Sequence, residues 1–196
     1  NLVASQLPTL PGLPQYIQQN NDILLTASIR DMEVLRRLAG IDVLASKPID
    51  VKAYVNDNTR QSNITIDAQQ ISVKGNKLEN MLVHIYSPGD TLRYSAKTQK
   101  RSKDGEVMAF GISGKAAGNM RLAALEWKNE SEGNGFRGSL NTMSRFYRNK
   151  EGKDVAHVSI SPSEVMIGDS LWHIRPANVV YASDYLKVDD FLLQHE

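Results

Sequence analysis

Alternation of apolar and polar residues predicts a mainly β protein: one long, curved, mostly antiparallel sheet, groove-like in form, with a single short helix near the N-terminus. Three observations carry this. Period-two alternation runs through most of the chain after Ile49. Clusters of turn-forming residues interrupt it at short intervals. Only one stretch has an apolar stripe at helical spacing.

The elements follow in order. Residues 1–22 contain Pro8, Pro11, Pro14 and Gly12 and read as an irregular arm or linker; residues 23–196 read as one elongated β domain. Ile23 to Ile29 is a short strand. Asp31 can cap a helix whose stripe is Met32, Leu35 and Leu38 with Val34. Arg36 and Arg37 suit its last turn and Gly40 its stop.

Strands follow from Ile49 onward, and each contributes side chains of one parity to a common apolar face. Those expected on this face are Ile64 and Ile66, Ile71 and Val73, Val83 and Ile85, Leu92 and Tyr94, Phe110 and Ile112, and Met120 and Leu122. Further along come Trp127, Phe136 and Leu140, Val158 and Ile160, Val165 and Ile167, Ile174, Val179, Leu186 and Val188, and Phe191 and Leu193. The parity slips between Leu122 and Leu125, which predicts a bulge at Ala124–Leu125. Turns are expected at Asn56-Asp57-Asn58, Gly75-Asn76, Pro88-Gly89-Asp90, Lys103-Asp104-Gly105, Gly133-Asn134-Gly135, Gly152, Ser161-Pro162-Ser163 and Gly168-Asp169. Short loops between alternating strands favour antiparallel neighbours in chain order. The apolar face needs a covering: a second sheet (a β-sandwich), closure into a barrel, or a groove that holds something apolar. Composition does not choose among them.

Bulk properties exclude several functions. With 23 Lys plus Arg against 22 Asp plus Glu, the net charge is +1, and nothing calls for nucleic acid. There is no cysteine for a disulfide, a thiol nucleophile or a thiolate metal site. His84, His157, His173 and His195 sit in separate strands without ligand spacing, so no metal is expected. No GxSxG, Walker loop or GxGxxG occurs, and no cofactor or enzyme activity is expected. Lys97, Lys100, Arg101 and Lys103 could hold a phosphate or lipid headgroup, but more simply form a solvated hairpin tip. Trp127 and Trp172 could stack on sugars, but more simply belong to the apolar face.

The run Asp169-Ser170-Leu171-Trp172-His173-Ile174-Arg175-Pro176-Ala177-Asn178-Val179-Val180-Tyr181 resembles a recurring element of the TamB proteins, the AsmA-like translocation and assembly module family, especially its large Bacteroidetes members. Tyr185 to Leu193 would be the hydrophobic pair that follows it. Ile29-Arg30-Asp31 opening a helix, Pro48-Ile49-Asp50-Val51, Ile64 to Ala68 and Ile71 to Leu78 are similar in order.

The resemblance implies a periplasmic segment of an inner-membrane-anchored Gram-negative envelope protein, internal to a larger repeated β-groove chain. It implies phospholipid or another acyl-chain ligand, transport of that lipid between inner and outer membranes, and outer-membrane protein translocation and assembly. An Omp85-type outer-membrane partner is implied through parts of the protein outside this chain. The alternative reading is a surface β-sandwich binding glycan or protein.

Overall fold

The computed structural model describes residues 20–39, 43–73, 75–129 and 135–195. Most of the expected arm, the stop at Gly40 and the turn residues Gly133 and Asn134 lie outside them, as do the helix side chains Val34, Leu35 and Leu38.

The described chain forms one sheet. Its strands are β1 (Asp22–Ile29), β2 (Val43–Ala45), β3 (Ile49–Asn56), β4 (Gln61–Val73), β5 (Asn76–Pro88), β6 (Leu92–Arg101), β7 (Val107–Ala117) and β8 (Met120–Asn129). They continue as β9 (Phe136–Arg148), β10 (Asp154–Ile160), β11 (Ser163–Ile167), β12 (Ser170–Ile174), β13 (Ala177–Ala182), β14 (Tyr185–Asp189) and β15 (Leu193–His195). One helix, α1 (Met32–Ala39), follows β1. Asp31 Oδ1 accepts the Glu33 backbone N–H at 2.9 Å, satisfying one orphan donor of its first turn.

Neighbours run antiparallel in the order β1-β3-β4-β5-β6-β7-β8-β9-β10-β13-β14. The first and last strands of that path do not pair with each other, so the sheet is open. It is neither a barrel nor the two sheets of a sandwich. Short connections account for the order from β3 to β10, because two to six residues between strands leave the next strand only the adjacent edge.

Several strand lines are interrupted rather than turned. β10 and β11 both flank β9, one pairing with Thr142–Arg148 and the other with Phe136–Gly138. Ser161-Pro162-Ser163, expected as a turn, is therefore a break inside one long strand line. There the Ser161 N–H still reaches the Asn141 carbonyl at 2.9 Å. Arg175-Pro176 interrupts β12 and β13 at the matching level, and Asp190-Phe191-Leu192 interrupts β14 and β15 beside it. Proline has no N–H for the ladder, so two of the three breaks fall where a donor is missing.

The bulge expected at Ala124–Leu125 is absent. β8 keeps an unbroken register with β7 and β9 from Met120 to Lys128. A register shift falls instead between β5 and β6, at Glu79 to Leu82, where Asn80 takes a φ of 51°.

The core is small and lies at one end. Val43, Ile49, Ala68 and Ile71 are buried together, with Ile29, Met32, Leu78 and Met81 packed around them. Here the start of α1 packs on the sheet through Met32, and β2 extends the same layer by pairing with β4. A second small cluster joins Leu92 and Ala116 beside Ile85. Among the described residues, the largest fully buried side chains are Ser62 and Ser87. A sealed sandwich of this size would bury Leu, Ile and Phe completely.

Candidate functional site: the apolar face of the sheet

Residues paired across an antiparallel ladder point to the same side, so register sorts every strand into two faces. One face carries rows of apolar side chains. Ile64, Ile85, Tyr94, Gly114, Ala123, Thr142 and Ile160 form one row. Ile66, Val83, Ala96, Ile112, Leu125 and Leu140 form the next. Beyond them run Phe110, Trp127, Gly138, Val165 and Trp172. Phe136 and Ile167 share this face. Val158, Val179 and Val188 continue it on the other side, as do Tyr181 with Leu186 and Ile174 with Leu193. Ile71 and Val73 pair with Ala45 and Val43 and belong to the covered end.

Met120 and Leu122 were expected here, and register places them on the opposite face. Leu122 pairs with Lys115 and Met143, while Arg121, Ala123, Leu125 and Trp127 take the apolar side. The reason is turn geometry. Gly118 and Asn119 close β7 onto β8 with Ala117 opposite Met120, so Ile112 must face Leu125 and Phe110 must face Trp127. β8 is apolar at both parities, so its composition misleads where its turn does not. Phe191 lies in the link between β14 and β15 and is 55% exposed.

The face is open. Phe110 is 36% exposed and Leu125 40%. Phe136, Ile167, Tyr181, Leu186, Val188 and Leu193 are exposed as well, Val165 is buried, and Ile64, Ile66, Val83, Ile85, Ile112 and Leu140 are half-buried by neighbours in the same layer. Two aromatic rings lie across it over glycines of the adjacent strand. A Cβ on Gly138 would come within 2.5 Å of the Trp127 ring, and one on Gly114 within 2.5 Å of the Tyr94 hydroxyl. Trp127 also meets Phe136, with ring centroids 6.4 Å apart. The Trp127 indole N–H is buried and has no hydrogen-bond partner among the described residues.

A full charge sits inside these rows, away from the strand-end charges Lys100, Arg148 and Asp154 of the same face. Arg121 pairs across the ladders with Ala116 and Ser144. Its Nε–H donates to the Tyr94 hydroxyl at 3.0 Å, and the guanidinium carbon stands 5.8 Å from the Tyr94 ring centroid. The Tyr94 hydroxyl in turn donates to the Leu122 carbonyl at 3.1 Å.

Two hollows draw mainly on the other, polar face. One, about 770 Å³, is lined by Lys97, Gln99, Glu126, Lys128, Arg137 and Glu164, with Met166 and Leu171, and also touches Phe110 and Trp127. A second, about 450 Å³, includes Leu122, Ala124 and Met143. Volume and apolar area therefore point to different faces. An open sheet face has no walls and encloses no volume, yet it removes apolar ligand area from water in proportion to contact. Contact area bears on acyl chains, so the apolar face is the better candidate.

The remaining sequence candidates disperse. Lys97 lines the larger hollow, Lys100 bonds Asn76 at 2.9 Å, and Arg101 meets Glu79 at 3.5 Å. Lys103 is at the exposed tip of the β6–β7 hairpin. His84 bonds Asn63 at 2.9 Å, His173 is 3.8 Å from Glu164, and the His195 ring is 5.0 Å from that of Trp172. His157 sits mid-strand opposite Arg145 and Val180. Groups with shifted acidity belong to surface pairs. Hydrogen bonds from Arg36 and Arg37 hold Glu33 below the usual carboxylate range. Asp184 raises Lys153 and is lowered by it, and Asp189 raises Lys187.

No family model, curated protein or solved structure matches the chain. Function is therefore argued from the sheet itself and from the sequence resemblance. No helix among the described residues is long and apolar enough to cross a membrane.

Proposed function

We propose that this chain is a non-enzymatic periplasmic scaffold whose uncovered apolar face carries the acyl chains of phospholipid across water. The observation that supports this is a single open sheet with contiguous apolar rows and, among the described residues, no second layer over their middle. Monomeric soluble proteins rarely leave such a surface without an occupant. The resemblance to the TamB family supports the same reading and extends it. On that reading the segment belongs to an inner-membrane-anchored envelope protein that moves phospholipid to the outer membrane. It would also assist outer-membrane protein assembly, with an Omp85-type partner engaged elsewhere in the full protein.

The energetics suit such a role. Each CH₂ exposed to water costs about 0.8 kcal/mol, so two sixteen-carbon chains cost on the order of 25 kcal/mol bare. A strip of apolar side chains offsets most of that cost without fixing the lipid at one position. Movement along it needs no metal, cofactor or catalytic group.

Native mass spectrometry of the gently purified protein tests the reading. Bound phospholipid, displaced by excess long-chain detergent, is the expected result. A lipid-free protein that also fails to take up added phospholipid would overturn it.

A further inference from the structure

We infer that the apolar face selects amphiphiles with an anionic headgroup, and that Arg121 is the residue that engages it. This rests on the acyl-chain reading above and names the class of ligand.

Arg121 is half-buried, and its neighbours across the ladders and along the strand on this face, Ala116, Ser144 and Ala123, are small and uncharged; the charges Lys100, Arg148 and Asp154 of this face stand at strand ends. A guanidinium has five N–H donors. Here one is used, by the Tyr94 hydroxyl, and among the described residues no carboxylate pairs with Arg121. Removing a cation from water without a counter-charge is unfavourable, and folded chains normally pair it. The arrangement also holds the side chain in place. Tyr94 is anchored to the Leu122 carbonyl and its ring lies over Gly114, where a Cβ would come within 2.1 Å of that carbonyl oxygen. The guanidinium is thus braced along one edge and over an aromatic ring, and its remaining donors are available to an anion. Arg suits phosphate and carboxylate because its fork matches two oxygens at once.

The distances fit an amphiphile. From Arg121 the same face of β8 continues through Ala123 and Leu125 to Trp127. At about 3.4 Å per residue this path is about 20 Å long. Half of a bilayer's hydrocarbon core is about 15 Å. A head bound at Arg121 therefore leaves one acyl chain a continuous apolar path, with Ile112 and Leu140 beside it.

The test compares binding of 1-palmitoyl lysophosphatidate, 1-palmitoylglycerol and inorganic phosphate by isothermal titration, with lipids below their micelle concentrations. The two lipids differ by the phosphate alone. Lysophosphatidate should bind at least about tenfold more tightly than palmitoylglycerol, as one charge-assisted contact provides. Arg121→Gln should abolish that preference, bringing lysophosphatidate and palmitoylglycerol to equal affinity. Arg121→Lys should retain part of it, and Tyr94→Phe should weaken it by releasing the guanidinium.

Equal affinity of the wild-type protein for both lipids, or a preference that survives Arg121→Gln, would overturn the assignment and leave the acyl-chain reading standing. No binding of either lipid would overturn both. Inorganic phosphate binding as tightly as lysophosphatidate would assign Arg121 to a free anion and overturn the headgroup proposal.

Discussion

The two ends of the apolar face differ in cover more than in composition. At the β1–β5 end the start of α1 packs on the sheet through Met32, β2 extends the same layer beside β4, and Ile49 and Ile71 fall to 4% and 5% exposure. In the middle, Ile112, Leu125 and Leu140 are as apolar, yet no described element packs over them and Leu125 remains 40% exposed. The same alternation thus makes a small core where the helix packs on it and an open surface where no described element does. Stability should concentrate at the covered end and ligand capture in the middle.

Substitutions can break that division. The largest effect is expected for Ile71→Ala, which deletes buried atoms from the covered cluster and should cost about 2–5 kcal/mol in denaturant unfolding. Leu125→Ala should cost roughly 1 kcal/mol or less, because much of its side chain is already in water. Equal losses would show that the middle is as well packed as the end.

Gly114→Ala comes next. The added methyl meets backbone at 2.1 Å, so the β7–β8 ladder or Tyr94 must move, at about 1–3 kcal/mol. Asp31→Ala removes the cap of α1 and should cost about 1 kcal/mol. If the start of α1 is part of the cover, that loss should appear in the same cooperative transition as Ile71→Ala.

The smallest effect is the surface pair between Lys153 and Asp184. The lowered Asp184 pKa contributes stability above the ordinary carboxylate range, which is lost as pH falls through the folded value. The raised Lys153 value contributes below the ordinary lysine range and is lost as pH rises through it. Both groups are solvent-exposed, so Asp184→Asn should flatten the acid limb of a stability–pH curve only slightly, and less in high salt.

Much of this was legible in the sequence. Strand alternation marked the sheet, and the parities of β4, β5, β7 and β9 to β13 placed their apolar residues on one face. What misled was β8, where a bulge expected at Ala124–Leu125 put Met120 and Leu122 on the apolar face together with Trp127, whereas the unbroken register leaves only Trp127 of the three there. The short Gly118–Asn119 turn decides the register, and reading it first would have placed Arg121 on the apolar face. The breaks at Ser161-Pro162 and Arg175-Pro176 looked like turns because proline and serine mark both. Only pairing with β9 and between the broken lines distinguishes a turn from an interruption. That α1 packs on one end, and that β2 pairs with the far end of β4, depends on contacts between distant segments, which local patterns do not encode.

The central claim is that one face of the sheet holds acyl chains and the other does not. Phe110 and Leu122 test it directly, because they are matched in exposure, at 36% and 37%, and lie on opposite faces. Uptake of a dansyl-labelled undecanoic acid should be lost in Phe110→Asp and retained in Leu122→Asp, with both proteins showing the wild-type β-sheet circular dichroism. Equal uptake by the two variants, or loss in Leu122→Asp alone, would contradict the account.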